Sequence, residues 1–268
     1  MLISELERYI EEDLGYWDDS CLIAPNVKVR ALILTREDGV IAGLEEAEAV
    51  FRYFGVKATP TCRDGDIVNG GDVICNIEGG DVAVLRAERL AINFLGKMSG
   101  IATFTHRCVE RAMGVRVAAT RKTTPGFRKY EKKAVIMGGG DPHRFNLSDM
   151  ILIKDNHRKL MGLEKAIKAA KKASFAKKIE VEVETLEEAL TAAKLGVHLI
   201  LFDNMTPQEI RKCVDALETE GLRENLILEA SGGITLETIS EYARSGVDII
   251  STSQLTQAPW LDFSLELI

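Results

Sequence analysis

Six short apolar runs, each bounded by polar residues and separated from the next by a stretch of helical periodicity, constrain this chain more than any other feature. They are Val115–Thr120, Met150–Ile153, Ile179–Val183, Leu199–Phe202, Leu226–Glu229 and Asp248–Ser251. The later runs alternate with amphipathic stretches at Leu163–Lys172, Leu186–Leu195, Pro207–Leu217 and Thr235–Arg244, each long enough to cross over a sheet. Strands alternating with crossover helices predict a parallel α/β barrel. In such barrels the chemistry gathers at the carboxyl ends of the strands.

The amino-terminal third reads differently. Leu2, Leu6, Ile10 and Leu14 recur at helical spacing among acidic residues over Ser4–Asp13. Residues 27–35 alternate as a strand, and Gly39–Gly43 is expected to return as the second arm of a hairpin before a helix over Glu45–Tyr53. Gly-Asp pairs at 65–66 and 71–72 punctuate short strands in 56–78. A helical period then runs from Asp81 to Arg111, with a break expected at Ser99-Gly100. The domain boundary is placed within this helix, giving an α/β sandwich domain over 1–105, rejoined by the tail 258–268, and a barrel domain over 106–257.

Composition excludes several classes. The net charge of −7 argues against coating nucleic acid or an anionic membrane surface, and no apolar run approaches the length of a membrane span. The amino terminus lacks the basic and apolar stretches of a signal peptide, so a cytoplasmic location is expected. Five widely spaced cysteines without a Cys-x-x-Cys pair predict reduced, mostly buried thiols. Neither a second His nor a Cys stands at zinc-ligand spacing.

Charge is distributed unevenly. Residues 121–160 hold ten Lys or Arg against four acids, a local charge of +6. Arg121, Lys122, Arg144 and Lys154 flank apolar strands or glycines and predict a pocket for a small polyanion, because guanidinium grips carboxylate and phosphate bidentately. Lys129, Lys132 and Lys133 read instead as a solvated helix face. Among acids, Glu182 and Asp203 end apolar strands and could hold a magnesium ion or steady a cationic transition state. Glu180, Glu182 and Glu184 alternate, so they share one face of a strand. Ser231-Gly232-Gly233 before a helical stretch suits phosphate. His143 is placed to donate to a carboxylate and His157 to cap a helix or orient Lys154, whereas His106 and His198 read as packing residues.

Read in order, Glu88-Arg-Leu-Ala-Ile-Asn-Phe-Leu, Ser99-Gly-Ile-Ala-Thr, Thr120-Arg-Lys-Thr-Thr-Pro-Gly, Gly138-Gly-Gly-Asp-Pro-His-Arg, Leu152-Ile-Lys-Asp-Asn-His, Glu180-Val-Glu-Val-Glu, Phe202-Asp-Asn-Met and Glu229-Ala-Ser-Gly-Gly-Ile resemble the quinolinate phosphoribosyltransferase family across almost the whole chain. The resemblance implies an amino-terminal α/β sandwich and an incomplete TIM-like barrel. It also implies a homodimer, or a dimer-based higher oligomer, with shared active sites. Quinolinate and phosphoribosyl pyrophosphate would be the substrates, and Mg2+ the cofactor. By position, Arg121, His143 and Arg144 would bind the quinolinate carboxylates, with Arg89 donated by the partner subunit. Lys122 and Lys154 would lie between quinolinate and the phosphates, Glu182 and Asp203 would face ribose and magnesium, and Ser231 and Gly232 the 5′-phosphate. Thr120 and Ser253 complete the substrate-binding set.

Two segments depart from the family pattern. Tyr16-Trp17-Asp18-Asp19-Ser20 stands where Gly-Asp-x-Thr is usual, and Ser253-Gln254-Leu255-Thr256-Gln257 where Gly-Ala-Leu-Thr-His is usual. A side chain at Ser253 enters where backbone would approach phosphate. The departures keep open a resemblance to ModD-like phosphoribosyltransferase relatives with another substrate, and a catalytically silent metabolite-binding relative.

Overall fold

A computed structural model describes residues 1–15 and 18–268. Of the amino-terminal departure, Tyr16 and Trp17 lie outside the described residues. The chain divides into two compact units. One comprises Met1–Phe104, Lys129–Gly139 and Gln257–Ile268, and the other Thr105–Arg128 and Gly140–Thr256.

Along the chain run α1 (Ile3–Leu14), β1 (Lys28–Thr35), β2 (Gly39–Val40), α2 (Leu44–Tyr53), β3 (Lys57–Pro60), β4 (Ile67–Val68), β5 (Val73–Gly80) and the long α3 (Asp81–Arg111). There follow β6 (Arg116–Ala119), α4 (Arg128–Met137), β7 (Ile151–Ile153), α5 (Asp155–Met161), α6 (Leu163–Ala173), β8 (Ile179–Val183), α7 (Leu186–Lys194) and β9 (Leu199–Asp203). The chain ends with α8 (Pro207–Thr219), β10 (Ile227–Ser231), α9 (Ile239–Ala243), β11 (Ile249–Thr252) and β12 (Phe263–Leu267).

In the first unit an antiparallel sheet has the order β12-β1-β5-β3. The hairpin expected after residue 35 does not form. β1 lies between β5 and β12, and the two-residue β2 pairs with β4. The reason is where the backbone after Gly39 finds its partners: Val40 N–H donates to Thr103 Oγ1 at 2.8 Å and Ala42 N–H to Ser99 Oγ at 2.9 Å. Hydroxyls of α3 thus replace a hairpin partner, since buried backbone groups must be paired.

The break expected at Ser99-Gly100 is also absent, because α3 is continuous from Asp81 to Arg111. Glycine serves close approach here instead of interrupting the helix. A Cβ at Gly100 would lie 2.0 Å from the Pro259 carbonyl oxygen, and Leu261 N–H donates to Gly96 O at 3.0 Å. The terminal segment therefore lies directly on the backbone of α3. Gly100→Ala is expected to destabilise the protein by about 2–3 kcal/mol, the cost of forcing an atom into filled space. Thermal denaturation checks this, and an unchanged Tm would mean that the segment around Pro259 shifts freely.

α4 falls largely in the first unit, inside the span expected to be barrel. Lys129 is exposed as expected of a solvated face, but Lys132 and Lys133 correct that expectation. Lys132 is 1% exposed. Lys133 Nζ reaches Glu45 at 2.7 Å, Glu46 at 2.9 Å and Asp64 at 3.5 Å, and Lys129 pairs with Glu5 at 2.9 Å. A buried carboxylate such as Glu46 needs a cation, and α4 supplies it.

In the second unit all six parallel strands occur at the expected places, ordered β6-β11-β10-β9-β8-β7. In chain order the strands form a ring that is open between β6 and β7, an incomplete barrel. Every residue of β8 is buried, as expected for a strand covered on both faces. The last expected helix is shortened to Ile239–Ala243, because Thr235 N–H donates to Thr238 Oγ1 at 3.0 Å and holds 235–238 as turns. All five cysteines are free, with Cys75, Cys108 and Cys213 buried and Cys21 and Cys62 partly so. Among the described residues no helix is long and apolar enough to cross a membrane.

Candidate active site at the carboxyl ends of the parallel strands

The pairing register decides which side chains meet. Glu182 pairs with Leu201, Leu201 with Glu229, and Glu229 with Ile249, so these residues form one level of the sheet. One level below, Leu152, Glu180, Leu199 and Ile227 are paired across four strands. One level above, Asp203 pairs with Ser231 and Ser231 with Ser251. Paired residues project to the same face and alternate residues return to it. Glu180, Glu182, Asp203, Glu229, Ser231 and Ser251 therefore share a face. Glu180 is 1%, Glu182 8% and Glu229 2% exposed.

Bases face these acids. Lys154 immediately follows β7, and its Nζ lies 2.6 Å from Glu182 Oε1. Its backbone N–H donates to His157 Nδ1 at 3.1 Å, so His157 serves as the helix cap at the start of α5. Arg158, one turn along α5, pairs with Glu184 and Glu188 and ties the lysine-bearing turn to the segment after β8.

Arg121 and Lys122 follow β6. The Lys122 carbonyl accepts a bond from the buried Thr256 hydroxyl at 2.8 Å, and Lys122 N–H donates to Thr120 Oγ1 at 3.2 Å. Arg121 Nε is buried without a hydrogen-bond partner. After α4 the chain comes back along β6: Asp141 N–H donates to Val117 O at 2.8 Å and Ala119 N–H to Asp141 O at 3.0 Å. That bridge places Asp141, His143 and Arg144 along the open edge of the ring. Burial, and then the neighbouring Arg121 cation, hold the Arg144 guanidinium below its ordinary pKa. Two guanidiniums whose charges oppose each other, one with an unpartnered donor, are a preformed receptor for an anion.

His143 Nε2 lies 3.7 Å from Glu180 Oε2 and 3.6 Å from Glu229 Oε2. The three ligand-capable atoms fall within 4.8 Å of one another. Glu180 was read from sequence only as sharing a strand face with Glu182 and Glu184, and Glu229 only as part of a strand end; neither was given a role. The available signal was acids at alternate positions of otherwise apolar strands, in Ile179-Glu-Val-Glu-Val and Ile227-Leu-Glu-Ala.

The phosphate-type loop takes shape from β9 and β10. Gly232 has φ 97° and Gly233 φ 65°, and a Cβ on Gly232 would lie 2.3 Å from Asn204 Oδ1. Asn204 N–H donates to Ser231 O at 2.8 Å, and Thr252 Oγ1 donates to Ile234 O at 2.8 Å. Glycine is thus required where the backbone folds against Asn204. Ser253 follows β11, its carbonyl accepting from Thr256 Oγ1 at 3.2 Å. Arg89 is exposed on α3, in the first unit. Two histidines read as packing residues have polar partners instead. His198 Nδ1 accepts from Ile179 N–H at 3.0 Å, and His106 Nε2 lies 3.6 Å from Glu110 one turn away.

Comparison with known proteins agrees along the whole chain. Residues 18–99 match the family described as quinolinate phosphoribosyl transferase, N-terminal domain, and residues 101–266 its C-terminal domain. A relative from Methanothermobacter thermautotrophicus, named probable nicotinate-nucleotide pyrophosphorylase [carboxylating], is 44% identical over 98% of this chain and 97% of its own. One of the same name from Archaeoglobus fulgidus is 46% identical over 91% of this chain and 96% of its own. The crystal structure of nicotinate-nucleotide pyrophosphorylase from Ehrlichia chaffeensis superposes with a TM-score of 0.94 at 33% identity, covering 100% of this chain and 99% of that one.

Proposed function

The chain belongs to the quinolinate phosphoribosyltransferase family, and from that premise we propose how its own residues carry the reaction. The activity is that of a carboxylating nicotinate-nucleotide pyrophosphorylase, a pentosyltransferase of NAD biosynthesis. Quinolinate and phosphoribosyl pyrophosphate give nicotinate mononucleotide, pyrophosphate and carbon dioxide. The observation that carries the residue assignment is the Lys154–Glu182 pair at 2.6 Å, on the face that also presents Asp203 at the carboxyl ends of the strands.

Arg121, His143 and Arg144 grip the two carboxylates of quinolinate, which fixes the ring nitrogen as the attacking atom. Thr120 steadies the turn that carries Arg121 and Lys122. Lys122 and Lys154 sit between the two anionic substrates and relieve their mutual repulsion. Ser231, Gly232 and Ser253 hold the 5′-phosphate, the glycine through exposed backbone N–H groups. Orientation of two bound reactants can supply roughly 7–11 kcal/mol of the barrier when placement is ideal.

As pyrophosphate leaves, positive charge builds on the ribose carbon and its ring oxygen. Glu182 and Asp203 favour that charge from fixed positions in a site of low dielectric, the arrangement that also serves glycoside hydrolysis. The quinolinate nitrogen then bonds to the ribose carbon. The quaternised ring carries the charge that stabilises the carbanion left when the adjacent carboxylate departs as carbon dioxide, and a proton from solvent water on that carbon completes nicotinate mononucleotide.

The donor set fits magnesium, a hard cation that takes one or two carboxylates and retains several waters. Glu182 and Asp203 would hold it, and when bound it supplies charge neutralisation for the pyrophosphate. Assembly as a homodimer or a dimer-based higher oligomer would bring Arg89 to the site from the partner subunit. The working division is a sandwich domain over 1–105 with the tail 258–268 and a barrel domain over 106–257, in a cytoplasmic protein.

The test is an assay of purified protein with quinolinate, phosphoribosyl pyrophosphate and Mg2+, following nicotinate mononucleotide and carbon dioxide, with nicotinate in parallel. Product from quinolinate and none from nicotinate is expected. Turnover of neither by folded protein would make the altered loop at Ser253 and Gln257 the first segment to revert.

A further inference from the structure

Two of the three acids facing His143 and Lys154 have no part in the chemistry above. Glu180 and Glu229 lie beneath His143, nearly inaccessible, and Glu180 Oε1 and Glu229 Oε2 accept no hydrogen bond. Burying two carboxylates side by side is costly unless a cation stands with them. The imidazole of His143, 3.7 and 3.6 Å away, is the group placed to serve as one.

We propose that Glu180, with Glu229 beside it, is a positioning residue that holds His143 as an imidazolium with Nε2 turned to the barrel interior, and so adds a third cation to the pocket that grips a dicarboxylate. An imidazolium has two N–H donors. The Nε2 edge faces the buried acids at ion-pair distance, and Nδ1 is assigned to a substrate carboxylate. The inference rests on the placement of His143 against quinolinate given above. It adds a reason for preferring quinolinate to a monocarboxylate ring, since a third cation is worth most to the substrate with the second negative charge.

The surrounding charges agree. The Glu180 carboxylate raises the pKa of His143 most, Glu229 and Asp141 add to it, and burial opposes them. Burial, and then Glu180, push the Glu229 carboxyl up to about 8, while Ser251 from β11 and His143 pull it down. From β9 the residue on the level of Glu229 is the apolar Leu201, and Arg144 is the cation next along the chain. Burial thus favours the protonated form of Glu229, whereas Glu180 makes the largest contribution to holding the proton on His143.

The signs follow for two isosteric variants. Glu180→Gln removes the carboxylate that does most to raise the pKa of His143, so that pKa falls. KM for quinolinate at pH 8 is expected to rise roughly tenfold, the worth of a charge-assisted bond, with kcat changed much less. Glu229→Gln removes the weaker of the two acids acting on His143, so it should lower the His143 midpoint and raise the quinolinate KM less than Glu180→Gln does. Glu180→Asp, which keeps the charge, should recover part of the KM.

The experiment is histidine-labelled NMR titration of the full chain, with His143 assigned through His143→Gln, beside quinolinate KM and kcat profiles from pH 6 to 9.5. Thermal melts establish that each variant is folded. A lowered His143 midpoint in Glu180→Gln together with a raised KM supports the proposal. An unmoved midpoint in both Gln variants overturns the pairing itself. A lowered midpoint with an unmoved KM overturns the placement of His143 against substrate, and with it the proposal.

Discussion

Glu182→Gln is expected to lower kcat by about 10²- to 10³-fold, the usual cost of removing one preorganised electrostatic group. KM for quinolinate should stay within about threefold, because the interaction lost is one made mainly in the transition state. Glu182 is 8% exposed and faces Lys154 at 2.6 Å, so its charge is fixed before substrate arrives. An amide of the same shape keeps the packing and one hydrogen bond to Lys154 while abolishing the negative charge. Steady-state kinetics with each substrate in turn separates the cases. A large loss of quinolinate affinity at unchanged turnover would remove Glu182 from the charge-stabilising role and place it in substrate binding.

A second large effect is expected from mixing subunits. Arg89 lies on α3 in the first unit, whereas Lys154 ends a strand in the second. If Arg89 serves the partner's site, Arg89→Ala and Lys154→Ala proteins should each be nearly inactive alone. A heterodimer of the two then contains one site carrying both changes and one carrying neither. Random re-assortment of equal amounts in a two-fold dimer should restore about one quarter of wild-type activity. Co-expression with two affinity tags isolates the heterodimer, and that doubly tagged fraction should show about half of wild-type activity per dimer. No recovery in verified heterodimers would confine each active site to one chain.

The six parallel strands were legible because each is a compact apolar run between amphipathic helices, a signal local to ten or fifteen residues. α8 shows how local it is: Thr206 caps the helix by accepting from Glu209 N–H, Glu209 returns a bond to the Thr206 N–H, and Pro207 takes the first turn. The site's strand-end acids and bases were legible for the same reason, since a barrel gathers whatever its strands end on. The hairpin at 35–43 was misjudged because alternation identifies a strand without identifying its partner. β1 pairs with β12, more than 200 residues away in sequence, and no local pattern encodes that choice.

Lys132 and Lys133 fail as surface residues for a related reason. A basic helix face is solvated by default, and only the acids of α2 and Asp64, brought from 69 or more positions away, turn that face inward. Sequence by itself determined the parallel α/β class, the six strands, the excess of basic residues in 121–160 and the ordered motifs that mark the family, because each is carried by neighbouring residues. Tertiary structure alone decided that His143 meets Glu180 and Glu229, that Gly100 lies under Pro259, and that Lys154 neutralises Glu182. Those meetings depend on strand register, where a one-residue slip would send every acid to the opposite face.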